Sequence, residues 1–207
     1  MITTQYSIRN YVRARINPSF GPHDELPFRT EIKTFSKGEI ITDYGQIERC
    51  AYFLIEGLIQ ISIRRRNGDE RILNIFEANS FFSAYMSFLT GEPSDSCIIA
   101  LEDVTVEVIQ RNDIVATYKH SLLSNQIRAE VIETYYVYIT KMQMVLLDYS
   151  RTERYQYLLK TRPGLINMVS VKKLAQLLGM DPKSLSRIRG KIGSFCVAML
   201  MLTSCFR

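Results

Sequence analysis

The segment VKKLAQLLGMDPKSLSRIRGKI, residues 171–192, carries the strongest structural signal of this 207-residue chain. A first helix is predicted to begin after the N-cap residue Ser170 and to end at Gly179, which can adopt the left-handed conformation that closes a helix. Asp181 is placed to cap a second helix, and Pro182 suits its first position. The segment therefore predicts two short helices joined by a very tight turn.

The spacing of four residues in this segment is that of a helix-turn-helix. A small residue is followed four positions on by glycine, six further on by an apolar residue and three further on by another. The small residue lets the two helices approach closely, and the glycine permits the bend. The four residues are Ala175, Gly179, Leu185 and Ile188.

The outward face of the second helix carries polar and cationic side chains suited to DNA. Arg187 can present two parallel donors to guanine O6 and N7, whereas Lys183 can reach a base or a phosphate. The flanking cations suit phosphates. The candidate DNA-binding residues are Lys183, Ser184, Ser186, Arg187, Arg189 and Lys191.

The net charge of +5 is unevenly distributed along the chain. Residues 151–192 hold ten Lys or Arg and two acids, 10 − 2 = +8, whereas the remainder holds 16 basic and 19 acidic residues, 16 − 19 = −3. A basic C-terminal segment on a mildly acidic body favours a polyanionic partner.

Residues 28–108 read as short strands separated by turns, which is an all-β pattern. The clearest local signal is RRRNGDERI, in which Asn67-Gly68 is predicted to form a two-residue type I′ hairpin turn. A short helix is expected before the strands, at residues 7–16.

A long helix is predicted after the strands, because apolar residues recur at steps of three and four and no Gly or Pro occurs from Ser121 to Arg162. Its apolar stripe either packs entirely on the β-domain of the same chain or pairs in part with the same helix of a second copy. The candidate dimerisation residues are Ile127, Val131, Tyr135, Tyr138, Met142 and Val145.

Composition argues against several other classes of protein. With only two histidines, the chain has few members for a catalytic triad or for the metal site of a jelly-roll enzyme. The four cysteines lack metal-site spacing. No run approaches the roughly 20 apolar residues that span a bilayer. We therefore expect a cytoplasmic protein that is not an enzyme, with no cofactor, metal or membrane partner.

The sequence resembles the cyclic-AMP receptor and FNR-type (Crp/Fnr) family of transcription regulators. The similarity includes FSKGEIITDYGQ, AYFLIEGLIQI, the RRRNGDERIL hairpin, the long helix and LSRIRGKI. It implies an α+β chain with a cyclic-nucleotide-binding-like β jelly roll at 1–120, a dimerisation helix at 121–150 and a helix-turn-helix DNA-binding domain at 151–192. An apolar tail follows at 193–207.

Departures from the family concern the effector site. Members that bind cyclic AMP carry a Gly-Glu pair and then an Arg-Ser pair, where this chain has SFFSAYMSFLTGEPSDSC. Without that arginine, cyclic AMP is expected to bind poorly. The aromatic residues there either line an apolar pocket or fill the roll. Candidate effector-pocket residues are Phe81, Phe82, Ser83, Tyr85, Ser94 and Asp95.

The resemblance and the charge pattern predict a homodimeric, sequence-specific regulator with a degenerate effector pocket. Its expected partners are double-stranded DNA, a second copy of itself and, as a further candidate, RNA polymerase, with a small-molecule effector unknown or absent. The alternative is a jelly-roll module for a ligand or partner, whose helix-turn-helix makes protein contacts.

Overall fold

The computed structural model describes residues 6–192, and the chain divides into two compact units. The division falls inside the longest helix, between Met1–Tyr138 and Ile139–Arg207. The first unit contains a β-roll with flanking helices, and the second is helical where it is described. The predicted α+β class is confirmed.

The first unit begins with a short helix, then contains eight strands with one helix inserted between the sixth and the seventh. These elements are α1 (Ile8–Arg15), β1 (Glu31–Phe35), β2 (Ile40–Thr42), β3 (Cys50–Glu56), β4 (Leu58–Arg64), β5 (Glu70–Glu77), β6 (Ser80–Phe82), α2 (Tyr85–Thr90), β7 (Ser96–Ala100), β8 (Val104–Gln110) and α3 (Arg111–Thr117).

The strands form two four-stranded antiparallel sheets, in the orders β1-β8-β3-β6 and β2-β7-β4-β5. Side chains of both sheets meet in one buried cluster, to which β3 contributes Tyr52 and Leu54 and β4 contributes Ile59 and Ile61. The interior of the roll is therefore an apolar core built from alternate residues of its strands.

The outer face of the first sheet is covered as well. Phe53 and Ile55, the alternate residues of β3, pack in a second cluster with Ile8 and Val12 of α1. Because both faces of β3 are buried, its sequence CAYFLIE reads as an almost continuous apolar run.

The hairpin between β4 and β5 is confirmed, but the predicted type I′ turn is wrong. Such a turn needs positive φ at both central residues, whereas only Gly68 has it (φ 87°). The Gly68 N–H donates to the Arg65 carbonyl at 2.9 Å, and the Arg65 N–H donates to the Asp69 carbonyl at 2.7 Å. The Asn67 side chain accepts from the Asp69 N–H (3.2 Å), an Asx turn that keeps Asn67 out of the left-handed region.

Helix α1 is attached to the roll through a buried carboxylate. The Ile8 N–H, in the first turn, donates to Glu107 Oε1 of β8 at 2.7 Å, and the Ser7 side chain caps the same end by accepting from Asn10 N. Desolvation by burial raises the pKa of Glu107 despite the opposing hydrogen bond from Ile8.

Replacing Glu107 by Gln is expected to make the free energy of unfolding less dependent on pH under acidic conditions. Because the folded pKa of this carboxyl is raised, the favourable contribution of its protonated form is complete below the ordinary carboxyl pKa. It is lost as pH rises through the raised value. Urea unfolding from pH 4 to 7 should show a smaller fall in unfolding free energy with pH for Glu107→Gln than for wild type. An identical pH dependence would contradict this account.

The matched control is Glu107→Ala. Alanine removes the acceptor and leaves the buried Ile8 N–H unsatisfied, which costs about 1–3 kcal/mol at every pH. The glutamine amide oxygen can still accept that hydrogen bond, so only the alanine variant should lose stability throughout.

The second unit contains the end of the long helix and the C-terminal helices. The elements are α4 (Leu122–Asp148), which begins in the first unit, α5 (Arg151–Thr161), α6 (Leu165–Met168), α7 (Val171–Leu178) and a last helix, α8, at 182–192. A capping box between Ser150 and Glu153 starts α5.

Some predictions concern residues outside those that the structure describes. The apolar tail at 193–207 and its cysteines, Cys196 and Cys205, fall in that part of the chain. Within residues 6–192, no helix has the length and apolar character needed to cross a membrane, and no cluster of potential metal ligands occurs there.

Candidate nucleic-acid interface

The helix-turn-helix forms as its capping residues predict. The Ser170 side chain accepts from Lys173 N at the start of α7, and Gly179 closes that helix in the left-handed conformation (φ 66°, ψ 40°). Asp181 Oδ1 then accepts from the Ser184 N–H at 2.8 Å and caps α8. Helical backbone resumes at Pro182, so the turn contains only three residues.

The facing sides of α7 and α8 are buried at their centre. Leu174, Ala175 and Leu178 of α7 have no exposed surface, nor has Leu185 of α8. Ile188, one turn after Leu185, is half-buried. Because α8 is held by this apolar contact, its outward face is fixed in direction.

The outward face of α8 is polar and open to solvent. Four of its residues are exposed and lie at positions i, i+3, i+4 and i+7, so they share one side of the helix. They are Lys183, Ser186, Arg187 and Gly190. The predicted contacts at its flanks differ in exposure, since Lys191 is exposed and Arg189 is half-buried. The structure thus brings Lys183, Ser186 and Arg187 together on one accessible surface.

Ser184 is engaged inside the motif instead. Its hydroxyl donates to Asp181 Oδ2 at 2.7 Å and accepts from Arg151 Nη1 at 3.0 Å. Arg151 also lies 3.7 Å from Asp181 Oδ2. The hydrogen bonds from Ser184 lower the pKa of Asp181 below its ordinary value, so the cap is charged at neutral pH.

The sequence predicts Asp181 as a cap, but it does not predict that Arg151 contacts both Asp181 and Ser184 at this turn. The only sequence signal for Arg151 was the basic surplus of residues 151–192, in which any of ten cations could have played this part.

The six candidate effector-pocket residues do not share one cavity. Phe82 points into the roll and stacks on Tyr52, with ring centroids 5.0 Å apart, whereas Phe81 contacts Tyr11 and Phe53 on the outer face. Successive residues of a strand point to opposite faces, which separates this pair.

Of the other four candidates, only Tyr85 lines the same cavity as Phe81. The Ser83 hydroxyl donates to the Cys50 carbonyl, and Tyr85 stacks on Phe88. Ser94 is buried and donates to the Ser96 carbonyl, while Asp95 is exposed.

A buried carboxylate that sequence reasoning missed lies in the roll. Glu48 is almost fully buried and accepts from the Thr42 hydroxyl at 2.6 Å, from the Cys50 N–H at 2.9 Å and from the Tyr52 hydroxyl at 3.4 Å. Its own N–H donates to Ser87 Oγ of α2. The carboxylate thus joins β2 and β3, and the backbone N–H of the same residue adds the contact with α2.

The six candidate dimerisation residues lie on the buried face of α4. Ile127 and Val131 pack with the outer cluster, and Tyr135 packs on the interior cluster. The Tyr138 hydroxyl donates to Asn74 Oδ1 of β5 at 2.7 Å. Met142 and Val145 are also buried. These side chains therefore pack within their own chain, and another face of α4 is left exposed.

That other face of α4 carries a second apolar stripe. Its four members are exposed and follow one another at steps of four, three and eight residues. They are Ile132, Tyr136, Ile139 and Leu147. Tyr136 and Leu147 are 65% and 78% exposed. Sequence periodicity alone could not decide which of the two stripes faces the β-roll.

The described residues form a β-roll, a long helix and a helix-turn-helix with an exposed cationic face. Residues 32–121 match the family model of the cyclic nucleotide-binding domain. No curated protein matches the sequence.

Solved structures with this fold include three bacterial proteins. FixK2 from Bradyrhizobium japonicum has a TM-score of 0.70 and 13% identity, over 80% of this chain and 85% of its own. CLP from Xanthomonas campestris has a TM-score of 0.63 and 15% identity, over 80% and 87%. A CRP/FNR-family transcriptional regulator from Thermus thermophilus has a TM-score of 0.60 and 16% identity, over 79% and 86%.

The predicted resemblance is thus confirmed. Residues 32–121 match the model of the cyclic nucleotide-binding domain, and the described chain has the fold of solved CRP/FNR-family structures.

Proposed function

We propose that the protein is a homodimeric, sequence-specific DNA-binding transcription regulator. The observation that carries the proposal is the exposed face of α8, where Lys183 and Arg187 stand on a helix fixed from behind by buried Leu185. A helix of this kind fits the major groove, and its cations suit both base edges and phosphates.

The side chains of α8 take different roles in this proposal. Arg187 reads a guanine through two parallel hydrogen bonds, and Lys183 near the helix N-terminus reaches a base or a phosphate. Ser186 contacts a base edge or the backbone, while Arg189 and Lys191 bind phosphates. Ser184, bonded to Asp181 and Arg151, supports the first turn of α8.

The salt dependence of duplex binding tests this proposal. If each of two copies binds about three phosphates, the slope of log affinity against log salt is roughly −5. Replacing Lys191 by Gln in both copies should make the slope shallower by about 2. The control Lys119→Gln removes an exposed cation from the first unit and should leave the slope unchanged. Affinity that does not fall with salt would contradict DNA binding.

The β-roll is proposed not to respond to cyclic nucleotides. Its interior is occupied by the stacked rings of Tyr52 and Phe82 and by the ring of Phe76. The ring centroids of Phe76 and Phe82 are 5.9 Å apart. The buried Glu48 carboxylate is an unfavourable neighbour for a phosphate. CLP is described as responsive to c-di-GMP, so both cyclic AMP and c-di-GMP should be tested by calorimetry. We expect no heat of binding, and saturable binding of either would overturn this part.

The exposed stripe of α4 is proposed as the dimer seam. Replacing both Tyr136 and Ile139 by Glu should convert the dimer into a monomer, because two carboxylates would be buried against their own copies. Light scattering after size exclusion measures the mass. Met86→Glu changes a 72% exposed apolar residue on α2 and should leave the dimer intact. An unchanged dimer in the double variant would place the seam elsewhere.

A further inference from the structure

One arginine in the second unit joins the ends of two helices. Arg154, in the first turn of α5, donates from Nη2 to the Leu146 carbonyl at 2.9 Å and from Nε to the Tyr149 carbonyl at 3.0 Å. Its Nη1 donates to the Leu178 carbonyl at 3.2 Å. Leu146 lies in the last turn of α4, Tyr149 directly follows that helix, and Leu178 is the last residue of α7.

These three carbonyls belong to positions where helices lack backbone donors. The last carbonyls of a helix have no N–H from the next turn, and a cation there is favoured by the helix dipole. At the end of α7, the Gly179 and Met180 N–H groups both donate to the Ala175 carbonyl, and the Leu178 carbonyl is bound by Arg154. A single guanidinium thus binds carbonyls at the ends of two helices.

The hydrogen bond from Arg154 to the Leu178 carbonyl affects the direction of α8 because of its place on α7. Leu178 directly precedes the Gly179 turn, and the recognition helix α8 starts three residues after that turn begins. Holding the Leu178 carbonyl against the end of α4 therefore fixes where the turn leaves α7. The planar guanidinium offers donors in a fixed fork, whereas a lysine ammonium in its place would act as a single point charge.

We propose that Arg154 is a positioning residue that sets the direction of the recognition helix relative to the end of the central helix. This proposal rests on the proposed function, in which two copies joined along α4 read two half-sites. In such a dimer the direction of α8 sets the distance between the half-sites, whereas the outward side chains of α8 set their sequence. Arg154 thus controls spacing without contacting a base.

The test is selection of bound duplexes from a random pool, with wild type, Arg154→Gln, Arg154→Lys and the control Lys160→Gln. Lys160 is an exposed cation of the same helix, so its replacement removes the same charge from α5. We expect Arg154→Gln to keep the half-site sequence but to accept two or more spacings, with about tenfold weaker binding to the wild-type site. Arg154→Lys should fall between, and Lys160→Gln should match wild type.

The possible results separate this proposal from the proposed function. If wild type enriches no site, the proposed function fails. If wild type enriches one spacing and both Arg154 variants retain it, the positioning role is overturned. Circular dichroism and a melting curve accompany each variant. Should Arg154→Gln be unfolded, the spacing selected by Arg154→Lys, which keeps the charge and the apolar stem, decides.

Discussion

Replacement of Gly57 by alanine is expected to destabilise the β-roll severely. Gly57 lies where the chain passes from β3 in one sheet to β4 in the other, with φ at +90°. A Cβ there would be 2.7 Å from both the Asp103 carbonyl oxygen and Val104 Cγ1. Left-handed strain and overpacking together cost about 2–5 kcal/mol, a large part of a typical domain's stability. Thermal and urea unfolding of the purified variant measure the loss.

Gly68→Ala is the matched control for that effect. Gly68 has almost the same φ (+87°), yet a Cβ there meets nothing within 4 Å. Only the left-handed strain of about 1–2 kcal/mol should appear. Equal losses at Gly57 and Gly68 would show that the contact with Asp103 and Val104 contributes nothing.

Replacement of Arg187 by alanine is expected to remove base preference at one symmetric pair of positions in the DNA site. A bidentate contact to guanine is worth about 1–3 kcal/mol of discrimination against the wrong base, and a dimer makes it twice. Binding to the preferred duplex should weaken by one to several orders of magnitude, while binding to the site substituted at those positions changes little. Fluorescence anisotropy with both duplexes measures this difference.

Two further variants test whether the effect of Arg187→Ala comes from its paired donors and whether it is specific to that position. Arg187→Lys keeps the charge but loses the planar pair of donors, so it should retain phosphate-driven affinity and lose most of the base preference. Lys183→Ala should weaken binding at a different position or uniformly. An Arg187→Ala variant with an unchanged sequence preference would contradict the assigned role.

The helix-turn-helix was predictable from sequence because its determinants are local. Ser170, Gly179 and Asp181 act on backbone groups within three or four residues of themselves, and the structure shows these caps in the predicted places. The β-roll was predictable as a class from alternation and turn residues. The turn type at Asn67 was not, since a side-chain hydrogen bond to Asp69 selects another conformation.

Features that depend on distant contacts could not be predicted in the same way. Phe81 and Phe82 are adjacent in sequence, but which of them enters the roll depends on the register of β6 against β3. The two apolar stripes of α4 are similar in composition, and only the packed structure shows which one is covered. The contact of Arg154 with Leu178 spans 24 residues and that of Glu107 with Ile8 spans 99, and neither leaves a sequence pattern.

The central claim is that α8 reads DNA as one half of a dimer, and selection of bound duplexes by the wild-type protein at two salt concentrations tests it most directly. The account predicts enrichment of a palindrome whose half-sites are about one helical turn apart, with binding that weakens steeply at the higher salt. Absence of any enriched sequence at low salt, together with binding to a protein partner through α8, would contradict it and favour a helix-turn-helix that makes protein contacts.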